Sequence, residues 1–184
     1  MNFSKQKVVF AILASLTISQ FAHAEDEVTP VTVNGGKVTF NGEVTAGACA
    51  VSGTDTDKIV NLDTVRAASF TAANQAGNAK KPFDITLQDC DTATRETVQI
   101  TFNGQAMDGN PTLLQNTAGA GAAQNVGLQI YGPDGAKLNL GEASSAVKLN
   151  TTATIPLSVD YMSTAAAVTA GKVQSVANFQ LTYN

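Results

Sequence analysis

The chain has 184 residues, of which 43% are hydrophobic and 14% charged, with a formal net charge of −4. That length suits one domain, or a small domain with an extension, and the apolar fraction is too high for a wholly disordered chain. Two cysteines, one histidine and no tryptophan leave no cysteine-rich zinc site, and no basic surface is available for nucleic acid.

Residues 1–24 read as a secretory leader. Lys5 and Lys7 precede an apolar run from Val8 to Leu16, and Ala22-His23-Ala24 supplies a small-x-small cleavage site. A spanning helix would need roughly 20 apolar residues, and Gln20 and His23 interrupt the run. Cleavage after Ala24 leaves 160 residues with a net charge of −6. An acidic chain of this kind has no electrostatic drive toward phosphate backbones or anionic lipid. The expected protein is exported, binds no nucleic acid and is not membrane-embedded.

The exported part alternates like strands. Val38, Phe40, Gly42 and Val44 share one parity, as do Phe83, Ile85 and Leu87, then Val98, Ile100 and Phe102. Leu128 to Tyr131 and Lys137 to Leu140 flank Gly132-Pro133-Asp134-Gly135, which predicts a hairpin. Ile155, Leu157, Val159 and Tyr161 alternate with Pro156, Ser158 and Asp160, and the chain closes on Phe179, Leu181 and Tyr183. A short helix is expected around 63–70 with Asp63 as its cap. Short strands between frequent turns predict an all-β sandwich.

Chemistry-bearing residues are few. Loss of His23 removes every Ser–His or Cys–His pair, so no enzyme is expected. No cofactor or metal is expected either. Asp55 with Asp57, and Asp89 with Asp91, are read as solvated loop carboxylates. The Gly/Ala run 118–123 lacks the lysine of a phosphate loop. Cys49 and Cys90 are too far apart in sequence for a redox pair of the C-x-x-C kind, and export makes a structural disulfide available. Closing such a loop stabilises the fold by roughly 4 kcal/mol on the chain-entropy model.

Taken together, Thr32 to Val44, Ala48-Cys49-Ala50-Val51, Phe83 to Asp91, Asn125 to Ile130, Ile155-Pro156-Leu157 and the closing Tyr183-Asn184 resemble the pilins of the chaperone–usher pathway, nearest to type 1 fimbrial shaft subunits. The resemblance implies an incomplete immunoglobulin-like sandwich whose missing strand is supplied by the next subunit. It implies a donor extension at 25–45 and a pilin domain at 46–184. The implied partners are identical or related pilins, a periplasmic chaperone and an outer-membrane usher, and the implied destination is a surface fimbria of a Gram-negative bacterium.

On that reading Gly36, Val38, Phe40, Gly42 and Val44 form the donor face. The same alternation would suit an ordinary first strand of a complete sandwich, and the resemblance favours the donor role. Burying Val38, Phe40 and Val44 would contribute about 5–8 kcal/mol. Gly171, Val173, Ala177, Phe179, Leu181 and Tyr183 share the parity of a groove-lining strand recognised by the chaperone, with the Asn184 carboxylate held by chaperone basic groups. Ser175 departs from that apolar pattern. A carbohydrate-binding sandwich, either fimbrial adhesin or lectin, is the competing class. It is disfavoured by the missing tryptophan and by the lack of space for a second domain.

Overall fold

The computed structural model describes residues 33, 35–40, 42 and 47–184. The leader with Ala22 and Ala24, and Val44 of the donor face, lie outside the described residues.

Ten strands are described: β1 (Ala50–Val51), β2 (Lys81–Gln88), β3 (Thr97–Gly104), β4 (Ala106–Met107), β5 (Asn110–Leu114), β6 (Val126–Tyr131), β7 (Lys137–Leu138), β8 (Val147–Lys148), β9 (Ala153–Ser163) and β10 (Ala177–Tyr183). They form two sheets. One runs β1-β2-β9-β6-β5-β4, with β7 also on β6, and the other runs β10-β3-β8. All strand pairs are antiparallel, as hairpin-rich chains of this length require.

The expected alternation places the core. On β2 Ile85 and Leu87 are buried, on β3 Val98, Ile100 and Phe102, and on β9 Ile155, Leu157, Val159 and Tyr161. These inner faces join in one cluster with Leu128 and Ile130 of β6. The predicted hairpin forms, with Ile130 opposite Leu138 and Tyr131 opposite Lys137. Its turn places Gly135 at φ 76°, a conformation that glycine adopts without strain.

Two local expectations need correction. The helix shrinks to a single 3-10 turn at Ala67–Ser69 without a side-chain cap. Asp63 is occupied elsewhere: its carbonyl accepts the Tyr161 hydroxyl at 3.0 Å and its carboxylate meets Lys81 at 3.2 Å. Asp160, expected on the wet face of β9, is 1% exposed. Its Oδ1 accepts the Tyr161 and Ala79 amides at 2.8 and 3.2 Å. A segment preceding β2 continues along the edge of β9 there, with Ala76 bridged to Met162, and β9 is buried on both faces from Val159 to Ser163.

The described part of the extension is a separate unit. Gly35–Phe40 and Gly42 carry no regular secondary structure and are exposed. Gly36 adopts φ 120°, outside the strand region.

Candidate functional site: a half-covered groove beside the last strand

β10 is hydrogen-bonded to β3 along its whole length, with Phe179 opposite Phe102, Leu181 opposite Ile100 and Tyr183 opposite Val98. Among the described residues no strand pairs with its other edge. Opposed residues of an antiparallel pair share a face, so these two rows ought to be equally buried. They are not. Val98, Ile100 and Phe102 are 0%, 0% and 5% exposed, whereas Ala177, Phe179, Leu181 and Tyr183 are only half-buried. The partly covered apolar surface includes Phe83 and Val51 of the other sheet, and Val60, Leu62 and Val65 of the 58–66 segment. Phe102 bridges the layers: its ring centroid lies 6.4 Å from that of Phe83 and 6.2 Å from that of Phe179.

Local chemistry fixes both ends of this row. The Tyr183 ring lies against Gly47, within 3.4 Å of where a Cβ would stand, and burial pushes its phenol up. Asn184 is tied into the sheet beyond β10. Its main-chain amide donates to the Thr97 carbonyl at 3.0 Å, and one main-chain carboxylate oxygen accepts the Glu96 and Thr97 amides at 2.9 and 3.1 Å. Cys49 and Cys90 form a disulfide. It anchors the chain just before β1 to the end of β2, where Ala50 faces Gln88 and Val51 faces Leu87.

Upstream the expectation of one continuous strand from Gly171 does not hold, because β10 begins at Ala177. Gly171 and Val173 sit on an irregular segment bonded to the 115–123 loop. A Cβ on Gly171 would overlap the Ala123 amide and the Ala122 carbonyl carbon, so close backbone approach accounts for the glycine. Ser175, the residue that broke the apolar parity, donates its hydroxyl to the Gln115 carbonyl at 2.6 Å.

The candidate acidic pairs divide. Asp57, Asp89 and Asp91 are exposed. Asp55 is not the solvated carboxylate expected: it is 2% exposed. It accepts the Thr86 amide at 2.7 Å and the Lys58 ammonium at 2.7 Å. The Lys58 hydrogen bond, helped by Thr86 and opposed by burial, holds its carboxyl below the usual value. This pair straps the 52–58 loop to β2. Among the described residues no cluster of three or more His, Cys, Asp or Glu side chains could hold a metal ion.

On the donor face, Phe40 is 90% exposed and Val38 74%; Gly36 and Gly42 are also exposed.

Comparison with known proteins fits this geometry. A family model described as fimbrial protein matches residues 38–184. The type-1 fimbrial protein A chain of Escherichia coli is 38% identical over 181 residues, covering 96% of this chain and 97% of that one. The type 1 fimbrial subunit of Klebsiella pneumoniae is 39% identical over the same shares of the two chains. A solved chaperone–usher pilus subunit is 28% identical with a TM-score of 0.68, covering 85% of this chain and all of that one. An all-β immunoglobulin-like subunit with these relatives is a structural component of a surface fimbria of Gram-negative bacteria, and the chain belongs to the fimbrial protein family.

Proposed function

We propose that the chain polymerises by donor-strand exchange. The extension at 25–45 of one subunit lies in the groove beside β10 of the next, within the 46–184 domain. Gly36, Val38, Phe40, Gly42 and Val44 face inward against Ala177, Phe179, Leu181 and Tyr183. The observation that carries this reading is the unequal burial of β10 and β3 across one shared face. A strand added at the free edge of β10 satisfies its unpaired backbone groups and covers that row at once.

Before assembly the leader is removed after Ala24 and a periplasmic chaperone occupies the groove. It also holds the Asn184 carboxylate and reads the row from Gly171 to Tyr183. The outer-membrane usher then replaces the chaperone with the incoming donor. The chain's role is mechanical, and no catalytic step is assigned to it.

The test is Phe40→Asp, co-expressed with chaperone and usher. The chaperone complex forms at wild-type yield, because Phe40 is exposed in the isolated subunit. Surface fibres are lost, because an unpaired carboxylate cannot be buried in the neighbouring groove. Normal fibres, or loss of the chaperone complex, would overturn the reading.

A further inference from the structure

The segment that leads into β10 is tied to the 115–123 loop by side chains and main chain, and Asn116 makes the most side-chain bonds to it. Asn116 Nδ2 donates to the carbonyls of Ala123 and Lys172 at 2.9 and 2.8 Å. Its Oδ1 accepts the amides of Ala118 and Gln174 at 3.2 and 3.0 Å. The carboxamide thereby uses both donors and both lone pairs. It closes the 116–123 loop on itself and ties that loop to residues 172–174. Main-chain bonds run beside it: Thr117 to the Gln174 carbonyl at 2.8 Å, Ala123 to Lys172 and Lys172 to Gly121 at 2.9 Å. Gly171 supplies the close approach that lets the two backbones meet.

This makes the groove row a composite. From Ala177 to Tyr183 its position is set by the ladder to β3. At Val173 and Ser175 no ladder to β3 exists, and position is set by the Asn116 clamp, the Ser175 hydroxyl and the main-chain bonds to Thr117, Ala123 and Gly121. Val173 nevertheless packs on the same core as Phe179 and Leu181.

We infer that Asn116 is a positioning residue for donor-strand exchange. It pre-organises the Val173 end of the groove, so that one end of the incoming donor meets a surface already in place. This rests on the donor-strand reading. Rigid pre-formed sites lose less ordering entropy on binding. Asparagine is required because aspartate keeps the acceptors but sets carboxylate oxygen against the Ala123 and Lys172 carbonyls.

The experiment is a double-mutant cycle on the full mature chain refolded with a labelled peptide spanning 35–44, reading peptide dissociation. Asn116→Ala speeds release about tenfold. The cycle is repeated with peptides bearing Val38→Gly or Val44→Gly, one truncated at each end of the donor face. Non-contacting sites act additively. The Asn116→Ala effect therefore falls to about threefold or less with one truncated peptide and persists with the other. Asn116→Asp gives the same pattern. Ser175→Ala gives a weaker version that serves if the Asn116 variants fail to fold. Equal acceleration with both truncated peptides marks a general loss of structure and overturns the assignment, as does no acceleration. A wild-type chain that retains no peptide overturns the donor-strand reading itself, and this assignment with it.

Discussion

Phe179 stands directly across the strand ladder from Phe102, with ring centroids 6.2 Å apart, yet only Phe102 is sealed from solvent at 5% exposure. The two rings share a face. They differ in that Phe102 has β10 on one side and the Gly141 amide, which donates to its carbonyl at 2.8 Å, on the other, while among the described residues no strand lies at the other edge of Phe179's strand. An apolar residue in that position is an unfinished core position.

Phe102→Ala should therefore destabilise the chain by about 3–5 kcal/mol with or without a donor, the usual cost of emptying a core phenylalanine site. Phe179→Ala should cost about 1–2 kcal/mol in the donor-free chain, scaled to its partial burial, and clearly more once peptide 35–44 is bound. Urea unfolding of both variants, with and without peptide, measures the contrast. Equal penalties for Phe179→Ala in the two states would argue against a donor covering this ring.

The bridge between Cys49 and Cys90 spans a sequence separation of 41. Replacing both with serine should cost about 2–5 kcal/mol. The loss should show as a lower denaturant midpoint of the donor-bound subunit. Reduction of wild-type protein should reproduce it, and unchanged midpoints would mean that the strand register of β1 on β2 is held without the bridge.

The strands were legible because alternation is a local signal: β2, β3 and the first part of β9 carry a buried row at every second residue and β10 a half-buried one, whereas β6 is buried on both faces. What escaped were decisions made by distant partners. The Ser-Gly-Thr-Asp-Thr-Asp run looks solvated, but Lys58 and the Thr86 amide, 31 residues away, claim Asp55. The row from Gly171 to Tyr183 is interrupted only at Ser175, yet β10 begins at Ala177, and the Ser175 hydroxyl donates to the carbonyl of Gln115, 60 residues earlier. Asp63 had a capping residue's chemistry but was occupied by Tyr161 and Lys81. Asn116 gave no local sign at all. The donor face was visible only as alternation, and its assignment came from family resemblance rather than from the residues.

Acid should release the strap at Asp55. Its carboxyl is held below the ordinary value by Lys58, so its contribution to stability is complete above the unfolded pKa near about 3.9. The contribution is lost as pH falls through the lower folded value. Asp55→Asn should cost about 1–3 kcal/mol at pH 7 and should flatten the fall in stability below about pH 4. Parallel unfolding curves for the two proteins across that acid range would remove Asp55 from the account.

Gly171→Ala places a methyl group on top of the Ala122–Ala123 backbone, which has no side-chain freedom with which to yield. About 3 kcal/mol of destabilisation is expected, at the upper end for overpacking, together with poor recovery of fibres. Gly53→Ala is the control, since nothing stands within 4 Å of a Cβ there, and it should stay within about 0.5 kcal/mol of wild type. A neutral Gly171→Ala would show that the 121–123 loop can move aside.

Amide hydrogen exchange separates an unfinished sheet edge from an ordinary one. In the donor-free mature chain β9 lies between β2 and β6, so its amides are paired inside a sheet. Among the described residues β10 has β3 on one side only, and its apolar row is half covered. Protection follows the free energy of local opening, which is low where few apolar contacts must be broken. Amides of β10 should therefore exchange much faster than those of β9 in the free chain. Adding peptide 35–44 should slow β10 by about tenfold or more, because a second ladder and Val38, Phe40 and Val44 would have to leave before it could open. β2, β6 and β9 should change little, since their partners are already present. The same peptide carrying Phe40→Asp should give no protection. A free chain whose β10 amides are already as slow as those of β9 would mean that the sandwich is complete without a donor, and that Phe179, Leu181 and Tyr183 are merely the rim of a finished core.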